Sequence, residues 1–265
     1  MRTTAILNFK GGVGKTVTTA TLACLLAKRG HRVLIVDADS QGNLSQYFNV
    51  EPTADDTCTT MELLTFGAGY YPDFVTPTSV DNVDVIPSDI RLLAADVDVT
   101  VQGRANRAAI ESLRMAIEED AGDPDSYDYM LIDCPPALSA ACSAALIAAD
   151  EVIIPVRLDA FSTGGMSNLA FQITNMRRIN PRLRVRGVLV TQYTSTEEER
   201  KALDALRSSQ LPVFKTVIRF SKRVGAATFA RMPLAEFSPW CAAAIDYREL
   251  AEEILREDGA DNGKS

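Results

Sequence analysis

The sequence predicts one α/β domain, a mostly parallel twisted sheet with helices on both faces. Three observations lead there. Short apolar runs, nearly continuous in valine, isoleucine and leucine, have the pattern of parallel strands covered on both sides. They alternate with longer amphipathic segments, and strand–helix alternation builds a parallel sheet. The chain has 265 residues, 46% of them hydrophobic, enough for one large core, and no Pro/Gly/Ser-rich linker or internal repeat divides it. The expected domain covers residues 1–258, with residues 259–265, "GADNGKS", as a disordered tail.

The elements follow in order. "TTAILNF" (3–9) is the first expected strand; it runs into a Gly-rich turn and a helix over 14–30. "RVLIVDAD" (32–39) is the second strand. Segment 49–82 is rich in turn formers and is expected to hold one short helix near 59–66. "VDVIPS" (83–88) is the third strand, followed by helical segments at about 89–98 and 104–120. "YDYMLIDC" (127–134), "DEVIIPV" (150–156) and "VRGVLVTQY" (185–193) complete the strands, with helices over 138–148, 162–179 and 196–209 behind them. A helix over about 241–257 closes the pattern.

Composition narrows the function. A net charge of −8 and a pI near 4.8 argue against a surface coated in basic charge, while leaving room for a local basic patch. One histidine, His31, supplies almost no material for a histidine zinc site or a Ser-His triad. The five cysteines lack any C-x-x-C spacing, as expected of reduced thiols in a cytosolic protein. The N-terminus has no basic-then-apolar leader, and no apolar stretch approaches the roughly 20 residues that span a bilayer. The expected location is the cytoplasm, with no membrane partner.

The chemistry is concentrated in three motifs. "FKGGVGKT" (9–16) matches the end of the phosphate-binding pattern G-x-x-x-x-G-K-[ST], but Phe9 stands where the first glycine belongs and Lys10 follows it. A strand before and a helix after give the loop its site context. Backbone N–H groups of Gly11, Gly12, Val13, Gly14, Lys15 and Thr16 can then converge on phosphate oxygens at a helix N-terminus. Lys15 neutralises the outer phosphates, and the Thr16 hydroxyl ligates Mg²⁺. The expected domain is therefore a P-loop NTPase. Asp133, ending "YMLID", is placed to hold Mg²⁺ through water. Asp37 and Asp39 end the second strand, one beside the phosphates and the other capping or orienting the loop. Asp39 is the candidate for positioning the attacking water, since no histidine is near and a carboxylate must do that work. Asp37 stays open between an outer layer around Mg²⁺ and a structural role.

Together, "KGGVGKT" (10–16), "VDADSQGN" (36–43) and "LIDCPP" (131–136) resemble the deviant Walker A ATPases, and within them the ParA/Soj partition branch. The resemblance extends over about residues 3–256, and includes "DEVIIPVRLDAFSTGGMSNL" and "DYRELAEEIL". It implies a slow, partner-stimulated ATPase that uses ATP/ADP and Mg²⁺, with Lys10, Lys15 and Asp39 as catalytic residues. Lys10 would reach across a nucleotide-sandwich homodimer to the partner's phosphates. Asp39 would belong to switch I, Asp133 to switch II with Pro135 and Pro136, and Thr16, Asp39 and Asp133 would surround the metal. The adenine pocket would be built by the end of the "VLVTQY" strand and the segment after "IRFSKR", with Gln192, Met232 and Pro233 as its named residues.

The match has departures. Val17 replaces the usual Thr or Ser near the α-phosphate, keeping a backbone contact and losing a hydroxyl. Ser40 replaces the usual proline after Asp39, and "TSTEEERKAL" is acidic where the family is often basic.

The family further implies non-specific DNA binding by the ATP dimer, a ParB-like centromere-binding partner that stimulates hydrolysis, and nucleoid association. Arg219, Lys222 and Arg223 of "IRFSKR" align with a basic family segment and are the expected DNA contacts. "RRINPRLRVR" (177–186) is a second basic run. A phosphate loop starting at residue 10 leaves no room before it for a helix-turn-helix domain, so operator-specific repression is not expected. The alternatives are a MinD-like membrane-positioning ATPase, which needs a basic amphipathic C-terminal helix; an iron–sulfur reductase, for which only Cys134 lies near a phosphate-facing loop; and a non-catalytic nucleotide-binding scaffold, against which the intact Lys10, Lys15, Asp39 and Asp133 argue.

Overall fold

The computed structural model describes residues 1–52, 58–67, 71–95, 109–119, 126–158 and 165–262. All six expected strands form: β1 (Arg2–Ile6), β2 (Val33–Asp37), β4 (Val83–Ile86), β5 (Tyr129–Asp133), β6 (Glu151–Val156) and β7 (Arg184–Val190). They are parallel, in the order β4-β2-β5-β1-β6-β7. Among the described residues one further strand, β3 (Thr76–Pro77), adds antiparallel to β4 at the edge. Two residues are too short to leave a periodic trace, and a proline there suits an edge strand, which needs no ladder donor on its outer side.

The expected helices form as α1 (Lys15–Ala27), α3 (Thr60–Phe66), α4 (Ala109–Glu119), α5 (Ala140–Ala148), α6 (Gly165–Ile179), α7 (Glu197–Arg207) and α10 (Ala242–Asn262). The segment expected at 89–98 begins as a short 3₁₀ turn, Ile90–Leu92. Residues 96–98, 104–108 and 162–164 of the expected helices lie outside the described residues. Among the described residues, the short helices α2 (Asn43–Tyr47), α8 (Lys222–Phe229) and α9 (Leu234–Phe237) and the 3₁₀ turn Tyr71–Phe74 had no counterpart in the sequence reading. Helices α1, α2 and α8 to α10 pack on one face of the sheet around Leu22, Leu44, Leu234 and Tyr247. Helices α3 to α7 pack on the other around Leu63, Leu113, Leu146, Met176 and Leu206.

Two sequence expectations are corrected at the N-terminal edge of the sheet. Helix α10 runs to Asn262, four residues into the stretch read as a tail, while residues 263–265 lie outside the described ones. Asp258 explains the extension: it accepts hydrogen bonds from Tyr129 (2.8 Å) and Arg186 Nη1 (2.7 Å) and pairs with Arg2, pinning the last turns to the sheet. The run 177–186 is likewise not a continuous basic patch. Arg186 is buried between Glu151 (2.9 Å) and Asp258, and Arg184 pairs with Glu151 at 2.6 Å. Glu151 also accepts from the Thr4 hydroxyl at 3.0 Å. Removing one member strands a buried charge, so Glu151→Ala is expected to destabilise the fold by about 3–5 kcal/mol, measured by urea unfolding.

Strand order places the chemistry. In a parallel sheet every strand ends on the same edge, and ligands bind where the chain order reverses. Here β1 is that point, with β5 and β2 on one side and β6 and β7 on the other. The loops after β1, β2 and β5 therefore meet at one edge. Asp37 and Asp133 are register partners on adjacent strands, as are Ile6 and Asp133.

Candidate functional site

The loop between β1 and α1 is held open by side chains from neighbouring strands. Asn8 donates to the Pro155 carbonyl (2.7 Å), and its own Oδ1 accepts from the Lys10 amide (3.0 Å). From the end of β7, Thr191 Oγ1 donates to the Val13 carbonyl (2.8 Å) and Gln192 Nε2 to the Gly12 carbonyl (2.7 Å). With these carbonyls engaged outward, the loop's amides are left for a ligand. Gly14 caps α1 at φ 88°, in the left-handed region where a side chain is strained, so the GKT glycine is a geometric requirement. Lys15 is 8% exposed, and its Nζ lies 3.3 Å from the Lys10 carbonyl oxygen.

The acids divide by role. Asp37 is fully buried and accepts from the Asp39 amide (3.2 Å), the Ser45 amide (2.9 Å) and the Ser45 hydroxyl (2.7 Å). Asp37 thus organises the loop from β2 into α2, while lying beside Asp133 as its register partner. Burial pushes its carboxyl up to about 7 against these hydrogen bonds. Gly42 is the tight point of the same loop: φ is 61°, and a Cβ there would lie 2.6 Å from the Ser88 carbonyl oxygen. Asp39 is half-buried and borders the cavity described below; its Oδ1 accepts from the Gln41 amide at 3.0 Å.

Asp133 is buried, and the Thr16 hydroxyl faces it without a hydrogen bond of ordinary length to either carboxylate oxygen. Desolvation and the neighbouring Asp37 push its pKa well above the usual range, while the Thr16 hydroxyl and Lys15 pull it down. A buried carboxylate so weakly partnered is costly to ionise, and a cation beside it offsets that cost. Thr16 and Asp39 border the cavity described below; Asp133 does not, but lies within electrostatic reach of both, and these residues fit a hydrated Mg²⁺, which takes few protein ligands and keeps its waters.

A cavity of about 960 Å³ opens beside these groups. Gly11, Gly12, Gly14, Lys15, Thr16 and Val17 border it, with Asp39, Gln41 and Pro136. Lys10 is exposed and, like buried Val13, does not border it. The opposite wall is the segment 218–231, backed by Tyr47 and Tyr247. Gln192 borders the cavity, but its amide is committed to the phosphate loop. Met232 and Pro233, expected in the adenine pocket, are not in the lining; the wall segment ends at Arg231, just before Met232.

Arg219 and Lys222, expected on DNA, are exposed and also border the cavity. Asp246 of α10 also holds Arg219, with a shortest contact of 2.6 Å. Of that trio, Arg223 is exposed and outside the lining. Thr191, Thr228, Phe229 and Tyr247 carried no sequence signal. They come together from β7, α8 and α10, and no local period marks them.

A family model described as an AAA domain matches residues 1–185. The chromosome partitioning protein ParA of Caulobacter vibrioides is 34% identical over 261 residues, covering 96% of this chain and 94% of that protein. The sporulation initiation inhibitor protein Soj of Bacillus subtilis is 32% identical over 253 residues, covering 94% and 96%. Among solved structures, cobyrinic acid a,c-diamide synthase from Mycobacterium smegmatis with bound ADP and magnesium is similar at a TM-score of 0.79 and 28% identity, covering 98% of this chain and 96% of that one.

Proposed function

This chain belongs to the AAA-domain family of P-loop ATPases that includes ParA and Soj, and from that premise we propose that it is a DNA-partition ATPase working as an ATP-bound homodimer. The placement of two lysines carries the reading. Lys15 borders the cavity of its own chain, whereas Lys10, five residues earlier in the same loop, is exposed and does not. So placed, Lys10 is available to a nucleotide held by a second subunit, the role that the resemblance of this loop to the deviant Walker A pattern implies.

The roles follow from position. The amides of Gly11 to Thr16 and the Lys15 ammonium take the phosphates of ATP or ADP. Thr16 and Asp133, with Asp39, hold Mg²⁺, which neutralises charge on the outer phosphates. Asp39, half-buried on the cavity wall, accepts a proton from the attacking water or orients it. Lys10 from the partner stabilises the charge that develops in phosphoryl transfer, as an arginine finger does. Turnover is slow until a ParB-like partner stimulates it.

The DNA surface is non-specific and draws on the exposed Arg219, Lys222 and Arg223; a dimer doubles it, and affinity falls steeply with salt. The protein works in the cytoplasm on the nucleoid. The MinD-like alternative draws no support from α10, whose last turns carry Glu252, Glu253, Glu257 and Asp258 and are tied to the sheet.

Size-exclusion chromatography of Asp39→Ala with ATP and with ADP, each with and without DNA, tests the proposal. ATP is expected to trap a dimer that co-elutes with DNA, while ADP leaves a monomer. A variant that stays monomeric with ATP would show that Asp39 or the sandwich has been misassigned.

A further inference from the structure

One side chain on the cavity wall is held in a way the phosphate chemistry does not require. Arg231 borders the 960 Å³ cavity, and it also borders a second cavity of about 340 Å³ that Glu51, Pro52 and Asp89 line. It stands between the two. Two contacts hold it from the other side of the site: Asn49 Nδ2 donates to the Arg231 carbonyl oxygen at 3.0 Å, and the Arg231 guanidinium pairs with Glu51. Both Asn49 (φ 57°) and Arg231 (φ 49°) sit in the left-handed region, which non-glycine residues adopt at a cost. Two strained residues facing one another, joined by a hydrogen bond and flanked by an ion pair, form a built contact.

What it joins matters. Asn49 and Glu51 lie just beyond α2, and α2 is fastened by Ser45 to Asp37, the carboxylate that also receives the Asp39 amide. Arg231 closes the wall 218–231, which is left for the nucleoside once the phosphate loop and the acids take the phosphates. We infer that Arg231 is a nucleotide-positioning residue: clamped by Asn49 and Glu51, it fixes the nucleoside-side wall to the segment that carries Asp39. The inference rests on the nucleotide site proposed above. Opening that wall breaks both clamp contacts, so the clamp sets how long a nucleotide stays.

The ion pair is partly exposed, 46% for Arg231 and 65% for Glu51, so its contribution is modest and screened by salt. Dissociation of a fluorescent N-methylanthraniloyl-ADP from the full chain with Mg²⁺, chased with ADP in a stopped-flow instrument, reads it directly. Glu51→Gln is expected to speed dissociation about two- to fivefold at low salt, with the difference shrinking at high salt. Asn49→Ala is expected to speed it at both salt concentrations. Exchanging the charges, Glu51→Arg with Arg231→Glu in one chain, is expected to restore much of the slow rate.

An unchanged rate for Glu51→Gln at low salt, or an exchanged pair as fast as the single variants, overturns the clamp. So does a lowered melting temperature with no change in dissociation, which marks a merely structural contact. If the unsubstituted chain gives no binding amplitude, the nucleotide site itself is misread, and the clamp falls with it.

Discussion

Lys15→Ala is expected to lower ATP turnover by at least about a hundredfold and to remove measurable binding of ATP and ADP, because it deletes the phosphate-loop ammonium that borders the cavity. The effect is large for two reasons. Lys15 is 8% exposed, so its charge acts in a poorly solvated site where water does not screen it. It also lowers the pKa of Asp133, so its loss drives that carboxyl further toward the protonated form and weakens the metal position. The fold is expected to survive. Lys15 Nζ makes a single 3.3 Å contact, to the Lys10 carbonyl, and the loop is braced independently by Asn8, Thr191 and Gln192. Phosphate release at saturating ATP, fluorescent-nucleotide titration and a thermal melt separate these outcomes. Turnover within tenfold of the unsubstituted protein would remove Lys15 from the phosphate site.

What was legible in the sequence follows from how each feature is encoded. The six long strands are buried on both faces, so each writes a continuous apolar run. The two-residue edge strand and the five-residue α2 have no room for a period. The phosphate loop and Asp133 were legible because a glycine turn between a strand and a helix, and a carboxylate at a strand end, are local patterns. The role of Asp37 was not, since it depends on Ser45 folding back eight residues later. The wall 218–231 was legible in part, since the segment after "IRFSKR" was expected to face the nucleotide and lines the cavity from Val224 to Arg231. "IRFSKR" advertises charge, but charge alone does not say whether Arg219 faces DNA, the cavity or Asp246, which lies 27 residues away. Arg184 and Arg186 read as a surface patch until β6 and α10 bring Glu151 and Asp258 against them.

Lys10→Ala is expected to separate binding from catalysis. Because Lys10 is exposed and does not border its own chain's cavity, the variant monomer should bind ADP and ATP within about twofold of the unsubstituted protein, the range expected for a surface substitution. ATP should no longer produce a dimer, and turnover should fall by about 10²–10³-fold, the size of a lost charge-stabilising donor in phosphoryl transfer. The mixture with Lys15→Ala is the sharper measurement. In a mixed dimer the Lys10→Ala subunit still has Lys15 to bind ATP, and the Lys15→Ala subunit still has Lys10 to offer across the interface. One complete site is assembled from two inactive chains, so turnover of the mixture should exceed that of either variant alone. If Lys10 acted within its own chain, neither subunit of the mixed dimer would hold a complete site, and mixing would restore nothing. Lys10→Ala that hydrolyses ATP normally, or that fails to bind nucleotide as a monomer, contradicts the role in trans. The first result makes Lys10 dispensable, and the second makes it a second Lys15.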